Sequence, residues 1–120
     1  APMHVLGDYR GTLERELYEN DVRYMKCGAN RTVTEPGWPE ADLEDRQRIY
    51  VDYTRNLYRI LAELRRRHPG VEIEDCASGG GRVDLGILRY TDQVWTSDNT
   101  DPFERLSMQW NFSQASFQNQ

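Results

Sequence analysis

Two cysteines and two histidines in 120 residues leave little material for a metal centre. Cys27, Cys76, His4 and His68 fall in none of the short pairings that zinc sites use, so no metal is expected. Basic residues are in the minority, 15 against 20 acidic, and the formal charge of -5 speaks against nucleic acid or a membrane surface as a partner. No run of about 18 apolar residues occurs, so nothing reads as a bilayer-spanning helix. The stretch Ala1 to Asp8 lacks the basic start and apolar centre of a secretory signal. A processed or shortened chain would lack them too, so localisation stays open. The length allows one domain, residues 1–120, with a modest core.

What the chain does have is a run of three glycines, in Asp75-Cys76-Ala77-Ser78-Gly79-Gly80-Gly81-Arg82. Consecutive glycines cost folding entropy, so they belong where backbone turns sharply or approaches a ligand. After an irregular start, Thr12 to Asn20 reads as the end of a helix, and Val22 to Cys27 has the β-branched and aromatic content of a strand. Glu35-Pro36-Gly37-Trp38-Pro39 marks a loop. From about Ala41 to His68 runs the clearest helix, with Ile49, Tyr50, Tyr53, Leu57, Ile60, Leu61 and Leu64 as its apolar stripe. Acidic residues gather at its start and Arg65, Arg66 and Arg67 at its end, which suits the helix dipole; the arginines read as a solvated end rather than an anion site. His68 beside them reads as structural. Val71 to Cys76 is a second strand, Val83 to Tyr90 a short helical segment, and Gln93 to Ser97 a third strand. Asp101-Pro102-Phe103-Glu104 is a helix start, with Asp101 read as N-cap rather than catalyst.

Helices alternating with strands predict a parallel sheet with right-handed crossovers, and such sheets bind ligands at the carboxyl ends of their strands. Alternation within each strand puts Lys26 with Gly28, Glu74 with Cys76, and Thr96 with Asp98. A face carrying Lys26, Glu74, Cys76 and Asp98 is poor core material, because buried charges need partners, and it reads as the lining of a site. Asp98 can act as general acid or base, Lys26 can hold hydroxyls, and the glycine loop offers backbone N–H groups, a mixture that suits sugars. A structural alternative makes Lys26 and Glu74 an ion pair and Asp98 a turn residue. A third treats Gly79-Gly80-Gly81-Arg82 as a phosphate cradle, but neither the dinucleotide glycine spacing nor a Lys-Ser/Thr ending is present, and no cofactor is expected. Trp38 can stack on a sugar or cover a helix end. Cys27 and Cys76, on neighbouring strands, make a disulfide conceivable. Trp95 is expected to alternate away from Asp98 and pack under a helix.

Cys76-Ala77-Ser78-Gly79-Gly80-Gly81-Arg82, then Asp84-Leu85-Gly86, then Trp95-Thr96-Ser97-Asp98-Asn99-Thr100-Asp101 resemble the α-galactosidases of glycoside hydrolase family 36, and the similarity runs from about Leu13 to Gln109. The resemblance implies an α/β fold, part of a (β/α)8 TIM barrel with about three parallel βα units, where a whole barrel takes roughly 250 residues. It implies galactoside substrates. By resemblance Asp98 is the general acid/base, Lys26, Cys76 and Gly79 contact galactose hydroxyls, and Asn30 belongs to the same pattern.

One motif departs from the family. Around the nucleophile the family reads Lys-Trp-Asp-Met-Asn-Arg, and this chain reads Lys26-Cys27-Gly28-Ala29-Asn30-Arg31, so Gly28 stands at the nucleophilic aspartate. A retaining glycosidase needs two carboxyl groups about 5 Å apart, and glycine supplies none. Glu74 lies two residues below the strand end, roughly 6 to 7 Å too deep to replace it. Three parallel strands also leave two sheet edges open. The chain alone is therefore expected to be inactive. The alternative is a non-catalytic galactoside-binding segment, or one that completes a barrel with further copies of itself or with the remainder of a longer chain.

Overall fold

The computed structural model describes residues 3–28 and 39–117, with side chains at 11–28 and 39–114. The elements run α1 (Met3–Glu19), β1 (Tyr24–Gly28), α2 (Leu43–Arg67), β2 (Glu72–Cys76), a 3-10 turn (Ile87–Arg89), β3 (Gln93–Val94) and α3 (Pro102–Phe117). The strands form one parallel sheet in the order β1-β2-β3. This is the α/β arrangement expected from the alternation of helix and strand patterns.

Helix α2 is held at both ends. The Asp42 carboxylate accepts the Asp45 N–H at 2.8 Å, and the His68 N–H donates to the Leu64 carbonyl at 2.8 Å. Of the three arginines at its end, Arg66 and Arg67 are exposed as expected of a solvated helix end, Arg65 is partly covered, and each is paired. Arg65 pairs with Asp92 and donates to the carbonyls of Tyr90 (3.0 Å) and Val71 (3.1 Å). Arg66 and Arg67 both hold Glu63, at 2.7 and 2.6 Å, and Arg67 also reaches Glu14 of α1 at 3.1 Å. The guanidinium groups thus join α2 to α1 and to the strands.

The core joins α1 (Leu17), α2 (Leu61, Leu64), Val71 just before β2, Ile73 of β2 and the 3-10 turn (Ile87). Ile73 is 1% exposed and Ile87 fully buried, and each such side chain contributes about 2 kcal/mol of transfer free energy. Met25 and Cys27 pack against the same cluster. Odd-numbered residues of β1 and β2 therefore face the helices. Lys26, Glu74 and Cys76 occupy the opposite face of the sheet.

Three elements differ from expectation. The start expected to be irregular is helical, so α1 runs from Met3; Gly11 costs it about 1 kcal/mol, which the packing of Leu13 and Leu17 offsets. The segment expected to be helical from Val83 to Tyr90 contracts to one 3-10 turn, because the Asp84 carboxylate takes the N–H groups of Gly86 (2.6 Å) and Ile87 (2.8 Å). Strand β3 stops at Val94, since only Gln93 and Val94 are paired with β2.

Candidate functional site

The parallel register sets Lys26 beside Glu74 and Gly28 beside Cys76, so the predicted pairing of faces is present. Lys26 Nζ lies 2.8 Å from Glu74 Oε1, and the Tyr24 hydroxyl donates to Glu74 Oε2 at 2.5 Å. The ion pair weighed as a structural alternative therefore exists. Glu74 is 6% exposed, and its burial raises its pKa. The hydrogen bonds from Lys26 and Tyr24 outweigh that and hold it below the usual carboxylate range. The bond between Lys26 and Glu74 raises Lys26, and the bond from Tyr24 pushes its phenol up to about 12.

The register also corrects the place of Trp95. Glu74 pairs with Gln93, so alternation puts residue 95, not 96 or 98, on the Lys26 face. Beyond Val94 the backbone leaves the strand, and the turn brings Asp98 back toward residue 95. The Trp95 indole Nε1–H donates to Asp98 Oδ1 at 2.8 Å. Lys26 Nζ sits 4.1 Å from the centre of the Trp95 ring, and the Arg105 guanidinium of α3 sits 4.7 Å from it. Lys26 and Asp98 are thus brought to one edge, joined through an indole expected elsewhere. Arg105, on α3, gives no sequence signal for its place over the indole, whereas Tyr24 shares the Lys26 face by strand alternation. The signal for Trp95 was the register, which its strand's own alternation does not reveal.

The glycine loop has a structural task. Ser78 and Gly79 both take positive φ, 54° and 107°. A Cβ on Gly79 would lie 2.8 Å from the Thr96 carbonyl oxygen and 2.9 Å from the Ser97 Cα. Gly79 forms a bridge to Ser97, and Gly80 N–H donates to the Thr96 carbonyl at 3.2 Å. The loop after β2 is thereby fastened to the segment that carries Asp98. Arg82 does not front a phosphate cradle. Its guanidinium holds Asp75 at 2.6 Å and donates to the carbonyls of Cys27 (2.8 Å) and Cys76 (3.1 Å), clamping the ends of β1 and β2 together.

Cys76 is 2% exposed, at the end of β2 beside Gly28. Cys27 pairs with Asp75, so the two thiols point to opposite faces and both are free; the conceivable disulfide is excluded by register. Burial pushes the Cys27 thiol up, with Arg82 opposing. Gly28 is extended, and a Cβ there would meet nothing within 4 Å. Asn30 and Trp38 lie outside the described residues. Asp101 is the expected cap, accepting the N–H groups of Phe103 (3.1 Å) and Glu104 (3.0 Å). Glu104, however, bonds Asn99 Nδ2 instead of closing a capping box. Among the described residues no His/Cys/Asp/Glu cluster is placed to hold a metal ion, and no helix is long and apolar enough to cross a membrane. A cleft of about 320 Å³ between Leu17, Val22, Arg23 and His68 opens at the amino ends of the strands, away from this edge.

The melibiase family model matches residues 3–117, and the chain belongs to that family. It is similar to α-galactosidase 2 of Pediococcus pentosaceus, 39% identical over 102 residues, which cover 85% of this chain and 14% of that protein. Among solved structures, the α-galactosidase from Lactobacillus brevis superposes with a TM-score of 0.86 at 34% identity, over 94% of this chain and 15% of that one. The family 36 α-galactosidase AgaA of Geobacillus stearothermophilus gives 0.82 at 36% identity, over 89% of this chain and 15% of that one. Variants of AgaA have been solved in complex with raffinose and with stachyose. The chain spans about one seventh of the length of these relatives. Its three parallel strands and their helices are part of a TIM barrel, as the resemblance implied.

Proposed function

We propose that residues 1–120 form the segment of a retaining α-galactosidase that carries the general acid/base and part of the galactose subsite. In this reading Asp98 protonates the leaving sugar oxygen and then activates water. Lys26, Cys76, Gly79 and Asn30 contact the galactose, and Gly28 occupies the position of the nucleophile. The substrates are terminal α-galactosides of the kind bound by AgaA, raffinose and stachyose among them. With no carboxylate at Gly28 the anomeric carbon has no attacking group, so the chain does not hydrolyse its substrate unaided. The observation that carries the reading is the register. It sets Gly28 at the strand ends beside Cys76, while Lys26 on the same face contacts the indole that bonds Asp98.

The test is a chimera in which this chain replaces the matching segment of AgaA. Carrying Gly28→Asp, the chimera is expected to hydrolyse aryl α-galactosides faster than the Gly28 form by a factor on the order of 10³ or more. The Gly28 form gains activity when formate is supplied as a small external nucleophile. Equal, measurable hydrolysis by the two forms without formate overturns the assignment. If both are silent, and galactose binding survives Asp98→Asn but not Lys26→Ala, a non-catalytic galactoside-binding segment is the better reading.

A further inference from the structure

We propose that Trp95 is a positioning residue for Asp98, setting the direction of its carboxylate and coupling it to the galactose-holding Lys26. The inference rests on the acid/base reading of Asp98. Asp98 is exposed, at the head of a turn, where a carboxylate would normally sample several rotamers. Its Oδ1 instead receives the Trp95 indole N–H at 2.8 Å, and among the described residues Oδ2 takes no hydrogen bond. One oxygen is thus held and the other left to face a leaving group. A general acid works only from within hydrogen-bond reach of the proton's destination, so a fixed rotamer matters more here than at an ordinary surface aspartate.

The indole can hold Asp98 because it is itself held. Lys26 Nζ lies 4.1 Å from the ring centre, and Arg105 4.7 Å. Arg105 is in turn fixed by donating to the Ser97 carbonyl at 2.7 Å, one residue before Asp98. Lys26 is fixed by the buried Glu74. Displacing Lys26 toward a sugar hydroxyl therefore changes what rests on the ring that orients the acid.

Nuclear magnetic resonance on the whole chain tests this without requiring turnover. The indole N–H resonance of Trp95 is expected to move upfield in Asp98→Ala. The Hα–Hβ couplings of Asp98 are expected to report one rotamer in the parent and averaging in Trp95→Phe, with amide resonances of α2 and β2 unmoved. An indole signal indifferent to Asp98→Ala, or Asp98 couplings already averaged in the parent, overturns the proposal. In the Gly28→Asp chimera, Trp95→Phe should lower kcat on alkyl α-galactosides about tenfold more than on dinitrophenyl ones, with KM little changed. Asp98→Asn separates the two ideas. If it shows no leaving-group dependence, the acid/base reading fails whatever the spectra say. If it shows that dependence and Trp95→Phe does not, the positioning role fails alone.

Discussion

Gly79 and Gly28 are both glycines at strand ends, and their reasons for being glycine are opposite. Gly79 combines φ of 107° with backbone atoms of Thr96 and Ser97 inside 3 Å of any Cβ, so a side chain there strains the backbone and pushes the Asp98 segment away. Gly28 is extended with nothing within 4 Å of a Cβ, so nothing in the described fold requires glycine. Gly79→Ala is expected to cost on the order of 2 to 3 kcal/mol in urea unfolding. Gly28→Ala should stay within about 0.5 kcal/mol of the parent or rise above it. Similar losses for both would mean that Gly28 is structural after all. The glycine run was legible as a place of close approach, but sequence could not say what approached. The neighbour at Gly79 is another stretch of this chain, and only the fold brings Thr96 to it.

Two tyrosine hydroxyls tie elements together. Tyr24 joins β1 to β2 through Glu74, and Tyr58 joins α2 to the 3-10 turn by donating to both oxygens of Asp84, at 2.6 and 2.7 Å. The bond to Glu74 pushes Tyr24 up to about 12, while burial and then Asp84 push Tyr58 to about 12. A phenol whose folded pKa lies above the unfolded value of 10 stabilises fully below pH 10 and loses that contribution as the pH rises toward 12. Glu74, held low, works the other way: its contribution is present above the unfolded carboxylate pKa and is lost as the pH falls through its folded value. Tyr24 and Tyr58 should therefore give late steps, above pH 10, in an alkaline absorbance titration, and Tyr24→Phe should remove one of them. A titration with no step above pH 10 would contradict both bonds. Elements with strong local signals were readable: α2 from its stripe and charged ends, and the start of α3 from Asp101. Those set by long-range pairing were not. The length of β3 depends on how far β2 extends beside it, and the turn at Ile87 depends on a side chain, Asp84, that competes with helical bonding.

At the scale of the molecule, the sheet order leaves the outer edges of β1 and β3 without a strand partner among the described residues. Phe103, Leu106 and Trp110 of α3 are 84%, 72% and 66% exposed, three or four residues apart on one side of the helix. Uncovered parallel edges and an exposed apolar helix face each favour association. Sedimentation is expected to show mass increasing with concentration, and the double substitution Phe103→Glu, Trp110→Glu should reduce it. A monomer at every concentration would show that this face stays inert when exposed. The parallel topology was legible in the sequence because each helix pattern separates two strand patterns.

The openness around Gly28 has a consequence in the genetic code. Glycine and aspartate codons can differ by a single base, and at this position an added Cβ meets no described atom within 4 Å. Under the proposed assignment, chemistry at this site can be lost or regained in one mutational step.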